Sequence, residues 1–323
     1  MLAQKLKIQS RQSAQFEKVV IVTRMTQLEE LLARFNTAAQ ARFYLQQAGE
    51  LFEPIERAHE NYHRVLNHVR GIVPRSTKSL VIERSFLPQY RFDESDLVIT
   101  VGIDGLVVNT AKYLNQQPIL AVNPAPEIID GVLLPFTAKT VERALENSLY
   151  GETTIKKISM AEAVLNDGQR LLAFNDLFIG ANSHVSARYE IQWGKTQEQH
   201  SSSGIIVSTG AGSTGWLQSV YTGAAGVVKA LGGKVVPPPH KGRLDWEADR
   251  LIYAVREPFP SKSSQATLVY GTITPEKPLI LNSHMAENGV IFSDGVEADF
   301  VAFNSGTKAT IRVANKKTSL IVS

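Results

Sequence analysis

The chain has 323 residues, 43% of them apolar and 20% charged, a balance that excludes disordered, collagen-like and fibrous classes. Its 34 Lys and Arg against 31 Asp and Glu leave a net charge of +3, too small and too scattered to mark a nucleic-acid or anionic-membrane surface. The absence of cysteine removes disulfides, thiolate zinc sites and thiol nucleophiles. The lack of any apolar run of about 18 residues, and of a leader-like core in MLAQKLKIQSRQSAQFEK, predicts a soluble cytoplasmic protein without membrane or nucleic-acid partners.

Val19–Val22 is a β-branched run that predicts a strand, and Leu28, Leu31, Leu32 and Phe35 recur at helical spacing in a stretch closed by Gly49. A second helix is expected from Pro54, with Ile55, Ala58, Tyr62, Val65, Leu66 and Val69 on one face, until Pro74 stops it. Strands at Leu80–Glu83 and Leu97–Val101, a helix from Leu106 to Leu114 and a strand at Ile119–Val122 complete a strand–helix rhythm that implies a parallel sheet covered by helices. After residue 135 the pattern turns mostly β. Ile155–Leu165 and Arg170–Ile179 flank Asn166-Asp167-Gly168 as a hairpin. Short strands follow near 185–193, 204–208, 250–256, 266–272, 278–282, 289–293, 298–303 and 309–322. One helix, Ser213–Leu231, and a Gly/Pro-rich spacer, Gly232–Gly242, interrupt them. The division expected is therefore 1–135 and 136–323.

Three segments carry chemistry. Gly102-Ile103-Asp104-Gly105 lies where a strand hands over to a helix, a junction whose unpaired N–H groups suit a phosphate. A carboxylate there suits proton acceptance or Mg²⁺, or simply caps the helix. Asn175-Asp176 offers an amide and a carboxylate that grip paired hydroxyls, and is equally a turn dipeptide. Ser208-Thr209-Gly210-Ala211-Gly212-Ser213-Thr214-Gly215-Trp216 follows a strand and opens a helix; its glycines and hydroxyls suit close approach by a polar ligand, with Trp216 for stacking or for the core. It is neither a Walker A loop nor a G-x-G-x-x-G fingerprint. His59-Glu60-Asn61-Tyr62-His63 matches H-E-x-x-H, but the apolar stripe turns Glu60 towards water and no third ligand follows, so no metal site is assigned.

In order and spacing, the G-x-D-G turn near residue 100, Asn123-Pro124, the Asn-acidic pair at 175–176 and the T-G-x-G-S-T segment at 209–216 resemble the NAD kinase family. The likeness runs from about Val19 to Val296 and is strongest to the divergent, mitochondrial-type branch, on Val22-Thr23-Arg24 and Asn182–Glu190. The resemblance implies a Rossmann-like N-terminal α/β domain, a β-rich, sandwich-like C-terminal domain and an active site in the cleft between them. It implies phosphoryl transfer from ATP, with Mg²⁺, to the 2′-hydroxyl of the adenosine ribose of NAD, giving NADP, in a homodimer or homotetramer. On these positions Asp104 would activate the hydroxyl, and Gly102, Gly105 and Arg24 would meet phosphates. Asn175 and Asp176 would bind ribose, and Thr214, Trp216 and Ser219 would line the adenine pocket. Ile103 stands where the family turn has a second glycine, and Asp176 where it commonly has Glu. Ile103 keeps open an inactive or catalytically weak dinucleotide-binding relative, and the superfamily also leaves a lipid or sugar kinase as an alternative.

Overall fold

The structure is a computed structural model and describes residues 16–151 and 153–322. The N-terminal segment read above for a leader lies, up to residue 15, outside the described residues. The chain divides into two compact units: one runs to Thr110, resumes at Gln117–Ile155 and takes in the chain's last residues from Leu320, and the other comprises Ala111–Gln116 and Lys156–Ser319.

The first unit opens with strand β1 (Lys18–Thr23), followed by helices α1 (Gln27–Phe35), α2 (Ala38–Gln47) and α3 (Phe52–Ile72). The single helical stretch expected up to Gly49 is thus two helices. Asn36 ends α1 in the left-handed region (φ 63°), and the Thr37 hydroxyl accepts the Gln40 N–H to start the next. Helix α3 buries Ile55, Tyr62, Val65, Leu66 and Val69 as the periodicity predicts, while Ala58 is exposed. Strands β2 (Lys78–Glu83) and β3 (Asp96–Val101), helix α4 (Asp104–Ala111) and strand β4 (Pro118–Asn123) follow. The strands are parallel in the order β2-β1-β3-β4, and every residue of β3 and β4 is buried, as an apolar run in a doubly covered sheet should be. Strand β5 (Phe136–Thr137) and helix α5 (Val141–Leu149) lie beyond the boundary expected at 135. Val141, Ala144, Leu145 and Leu149 join the core that holds Val101 and Val122, so α5 belongs with this unit.

In the second unit β6 (Thr154–Leu165) and β7 (Arg170–Ala173) form the expected hairpin, its turn made by Gly168 at φ +90°. The second arm does not run to Ile179. It stops at Ala173, and the chain re-enters as β8 (Asp176–Ala181) in a different sheet. The reason is electrostatic: the N–H groups of Phe174 and Asn175 go to the Asp294 carboxylate and not to a neighbouring strand. Strands β9 (Ala187–Trp193) and β10 (Thr196–Ser202) pair antiparallel. Strand β10, TQEQHSS, was not among the expected strands, because its inward face is polar. Its Glu198, His200 and Ser202 are buried, with Glu198 accepting the Leu268 N–H and pairing with His200 Nε2, and Ser202 meeting the Tyr189 hydroxyl at 2.7 Å.

Strand β11 (Ile205–Ser208), a short 3-10 turn at Ala211–Thr214 and helix α6 (Trp216–Ala230) come next, so the helix expected from Ser213 begins three residues later. The segment after it has one 3-10 turn at Pro239–Gly242 and no strand. Then follow β12 (Leu251–Val255), β13 (Tyr270–Ile273), β14 (Leu279–Ser283), β15 (Gly289–Ser293), β16 (Val296–Ala302) and β17 (Lys308–Val322). Six strands form an antiparallel sheet in the order β13-β12-β11-β8-β15-β16, facing the strands β10-β9-β14-β17. Leu177, Ile179, Val207 and Tyr253 from the first share one core with Tyr189, Ile191, Leu281 and Ile311 from the second, which is sandwich packing. Among the described residues no helix is long and apolar enough to cross a membrane.

Candidate functional site

In the first unit β3 ends at Val101 and α4 begins at Asp104, so Gly102-Ile103 is the whole connection. Gly102 N donates to Val122 O at 3.2 Å, extending the β3–β4 ladder by one bond. A Cβ on Gly102 would lie 3.0 Å from Leu106 Cδ2 and 3.5 Å from Arg24 Cδ, so the glycine makes room for the Leu106 side chain, and the Arg24 stem lies in ordinary contact with the turn. Ile103 is 39% exposed and is not among the residues with positive φ, so a β-branched side chain there carries no backbone strain. Asp104 is half-buried at the first position of α4. Its Oδ1 accepts the Leu133 N–H at 2.7 Å, and its second oxygen has no partner among the described residues. Asn123 holds the same loop, donating to Ile129 O and accepting from Ala125 N. Beside the turn is a cavity of about 190 Å³, lined by Arg24, Thr26, His59, Asn61, Gly102 and Ile103 among others. Tyr62 braces its floor, its hydroxyl accepting the Arg24 N–H and donating to Val101 O.

In the second unit Asn175 and Asp176 are half-buried where β8 begins. Asp294 Oδ1 accepts the N–H groups of Asn175 and Asp176, and Oδ2 accepts that of Phe174. Lys112 Nζ, itself buried, lies 3.5 Å from Asp294 Oδ2 and 2.6 Å from Ser293 Oγ. Burial raises the Asp294 carboxyl above the ordinary range, while Lys112 and the three amides oppose the rise. Asp176 is pushed up to about 7, by burial first and by the neighbouring Asp294 charge second.

The glycine-rich segment is built onto that pair. Thr209 N donates to Asn175 O at 2.9 Å, Thr209 Oγ1 to Phe174 O, and Gly212 N to Thr209 Oγ1. A Cβ on Gly212 would stand 2.1 Å from Asn175 O, and one on Gly210 2.1 Å from Asp245 O. These two glycines therefore admit the protein's own backbone, and not the polar ligand their pattern suggested. Ser213 is buried and caps internally, accepting the Leu244 N–H and donating to Gly210 O, whereas Thr214 and Ser219 are exposed. Trp216 stacks on Phe178 (5.8 Å, 8° between planes) and receives the Arg256 guanidinium 5.5 Å above its ring. It borders a cavity of about 690 Å³ that Phe178, His184, Arg256, Phe292 and Phe300 also line. The cavity thus offers stacking faces and a cation, suited to a flat, electron-rich ring.

Asp294, Lys112, Phe178 and Arg256 carry no motif in the sequence. Asp294-Gly295 reads there only as turn punctuation, and nothing local announces that its carboxylate serves three amides 118 to 120 residues away.

No family model matches the chain. It is 32% identical over 129 residues to an NAD kinase of Clostridium kluyveri, a match covering 38% of this chain and 44% of that protein. It is 27% identical over 224 residues to a probable NADH kinase of Oryza sativa, covering 62% of this chain and 63% of that one. It is 26% identical over 227 residues to an NADH kinase of Arabidopsis thaliana, covering 62% and 65%. The chain thus spans between 44 and 65% of the lengths of these relatives. Among solved structures it shares the fold of yeast NADH kinase complexed with NADH (TM-score 0.61, 12% identity, 97% of this chain and 84% of that one). It also shares that of an NAD kinase from Archaeoglobus fulgidus in complex with ATP (TM-score 0.52, 14% identity, 94% and 92%). The parallel sheet of the first unit and the antiparallel sandwich of the second give the chain the fold of these NAD and NADH kinase structures, and over part of its length its sequence is similar to NAD and NADH kinases.

Proposed function

We propose that the protein transfers the terminal phosphoryl group of ATP to the 2′-hydroxyl of the adenosine ribose of NAD or NADH, giving NADP or NADPH. The observation that carries this reading is the combined sequence and fold likeness to NAD and NADH kinases, with a half-buried Asp104 whose second oxygen is unpartnered among the described residues at a strand-to-helix turn. The adenosine ribose is common to NAD and NADH, so the same groups serve both.

Phosphoryl transfer needs positioning and charge neutralisation more than a strong nucleophile. Asp104 accepts the proton of the attacking hydroxyl, its orientation held by the Leu133 N–H. Arg24 meets phosphate oxygens, Gly102 and Gly105 admit them by having no side chain while the Gly102 N–H stays with Val122 O, and Asn175 and Asp176 meet the ribose hydroxyls. Trp216 offers a face to the base, with Thr214 and Ser219 beside it. A magnesium ion fits such a site because it takes one or two carboxylates and completes its shell with water and phosphates. Asp104 is the carboxylate that would hold it, and the ion would neutralise charge developing on the phosphoryl oxygens. The family's homo-oligomeric assembly and a cytoplasmic location belong to the same reading.

The test is incubation of the full chain with ATP, Mg²⁺ and either NAD or NADH, with product read by an NADP-specific dehydrogenase. Product is expected, and Asp104→Asn should lower kcat by roughly 10²-fold or more while leaving the fold intact. Turnover of ATP with a lipid or sugar but not a dinucleotide, or dinucleotide binding without turnover, overturns the proposal.

A further inference from the structure

The H-E-x-x-H segment lacked a third ligand in sequence, and the fold supplies one from before it. His59 and His63 lie one turn apart on α3, their ring centroids 4.4 Å apart. Glu29, in the first turn of α1, places Oε1 2.9 Å from His63 Nε2. One ligand atom from each of Glu29, His59 and His63 lies within 4.8 Å of the others.

We propose that Glu29, His59 and His63 form a binding site for a divalent transition-metal ion of the zinc class. Two imidazoles and a carboxylate are a donor set that suits such an ion. Tetrahedral zinc with bonds of about 2.0 Å separates its ligand atoms by about 3.3 Å. Glu29 Oε1 and His63 Nε2, 2.9 Å apart, are already close to that separation and no pair of the three ligand atoms exceeds 4.8 Å, so side-chain adjustment without backbone movement closes the site.

Supporting hydrogen bonds already orient two ligands. Glu29 Oε2 accepts the Thr26 N–H at 2.6 Å, turning Oε1 towards His63, and Thr26 Oγ1 lies 2.8 Å from His59 Nδ1. All three ligands are half-buried. Glu60, which would activate water in a metalloprotease helix, is exposed and outside the cluster, so the site is not hydrolytic. A bound ion would clamp α1 to α3. His59 and Thr26 also line the 190 Å³ cavity beside the Gly102 turn, so the clamp would stiffen one wall of it, and a fourth coordination position stays open to water or another oxygen donor.

The test uses the full chain without an affinity tag, stripped with chelator, free of nucleotide and titrated with Co²⁺. A ligand-field band in the visible, one ion per chain by calorimetry, and a thermal midpoint that rises with ion concentration are expected. His59→Ala and His63→Ala should each weaken binding about 100-fold, and Glu29→Gln about tenfold. Glu60→Gln should leave it unchanged. Circular dichroism and melting of each variant in chelator separate loss of a ligand from loss of fold. Absence of the Co²⁺ band at millimolar ion, or binding that survives replacement of both histidines, overturns the proposal. None of these readouts depends on kinase activity.

Discussion

Asp294 Oδ1 stands 2.6 Å from the backbone nitrogen of Asn175, 119 residues earlier in the chain. The same carboxylate also serves Phe174 and Asp176 and is paired with the buried Lys112. One side chain thereby turns the chain out of the β6–β7 hairpin and sets the start of β8, where the Asn-Asp pair sits.

Replacing it leaves three amides and an ammonium without their acceptor. Asp294→Ala is expected to destabilise the second unit by about 3 to 5 kcal/mol, because breaking one partner of a buried pair strands the other. Asp294→Asn combined with Lys112→Met should lose clearly less than the sum of the two single changes. Urea unfolding of the four proteins measures this.

Asp176 titrates near neutrality, so its charge state has a stability consequence. Its folded value of about 7 lies above the ordinary 3.8, so the stability associated with its protonated form is complete below about pH 4 and is lost as the pH rises towards 7. Asp176→Asn should therefore be more stable than the parent at pH 8, on the order of 2 kcal/mol, with the advantage shrinking towards pH 4. Urea midpoints at the two pH values check it, and an advantage that does not depend on pH contradicts the burial argument.

A single methyl group tests the packing of the glycine-rich segment. Gly212→Ala places a Cβ 2.1 Å from Asn175 O, where backbone meets backbone and nothing flexible can yield. A loss of at least about 2 kcal/mol in the thermal or urea transition is expected. Gly223→Ala on α6, which meets nothing within 4 Å, should be neutral or stabilising.

Ile103 is the position where size and conformation separate. Since it is unstrained and lines the cavity beside Gly102 and Arg24, Ile103→Gly opens space without relieving backbone strain. The expected outcome is a several-fold lower KM for ATP at nearly unchanged kcat, with a stability change below about 1 kcal/mol. A large rise in kcat would instead show that the side chain obstructs the chemical step.

Helices and strands with an apolar face were legible from residue spacing alone. The stripe Ile55, Tyr62, Val65, Leu66, Val69 and the fully buried β3 and β4 fall where their periods place them. Elements whose signal is not apolar were lost. Strand β10 has a polar inward face, the break between α1 and α2 rests on one left-handed Asn36, and Phe174–Asn175 leave their strand to reach a carboxylate. The strand-to-helix position of Asp104 was readable from the apolar run Leu97–Val101 before it and the helical spacing after it, whereas the filling of the space at Gly210 and Gly212 by backbone was not.

By itself the sequence determined the two-part α/β and β organisation, the resemblance to NAD and NADH kinases, and the placing of one carboxylate at the start of a helix. These follow from short-range periodicity and from the order of motifs. Only the tertiary structure decided that Asp294 organises Asn175 and Asp176, and that Glu29 joins two histidines of another helix. Such partners lie tens to more than a hundred residues apart, and a hydrogen bond acts over about 3 Å, so no local pattern can announce them before the sheets and helices bring them together.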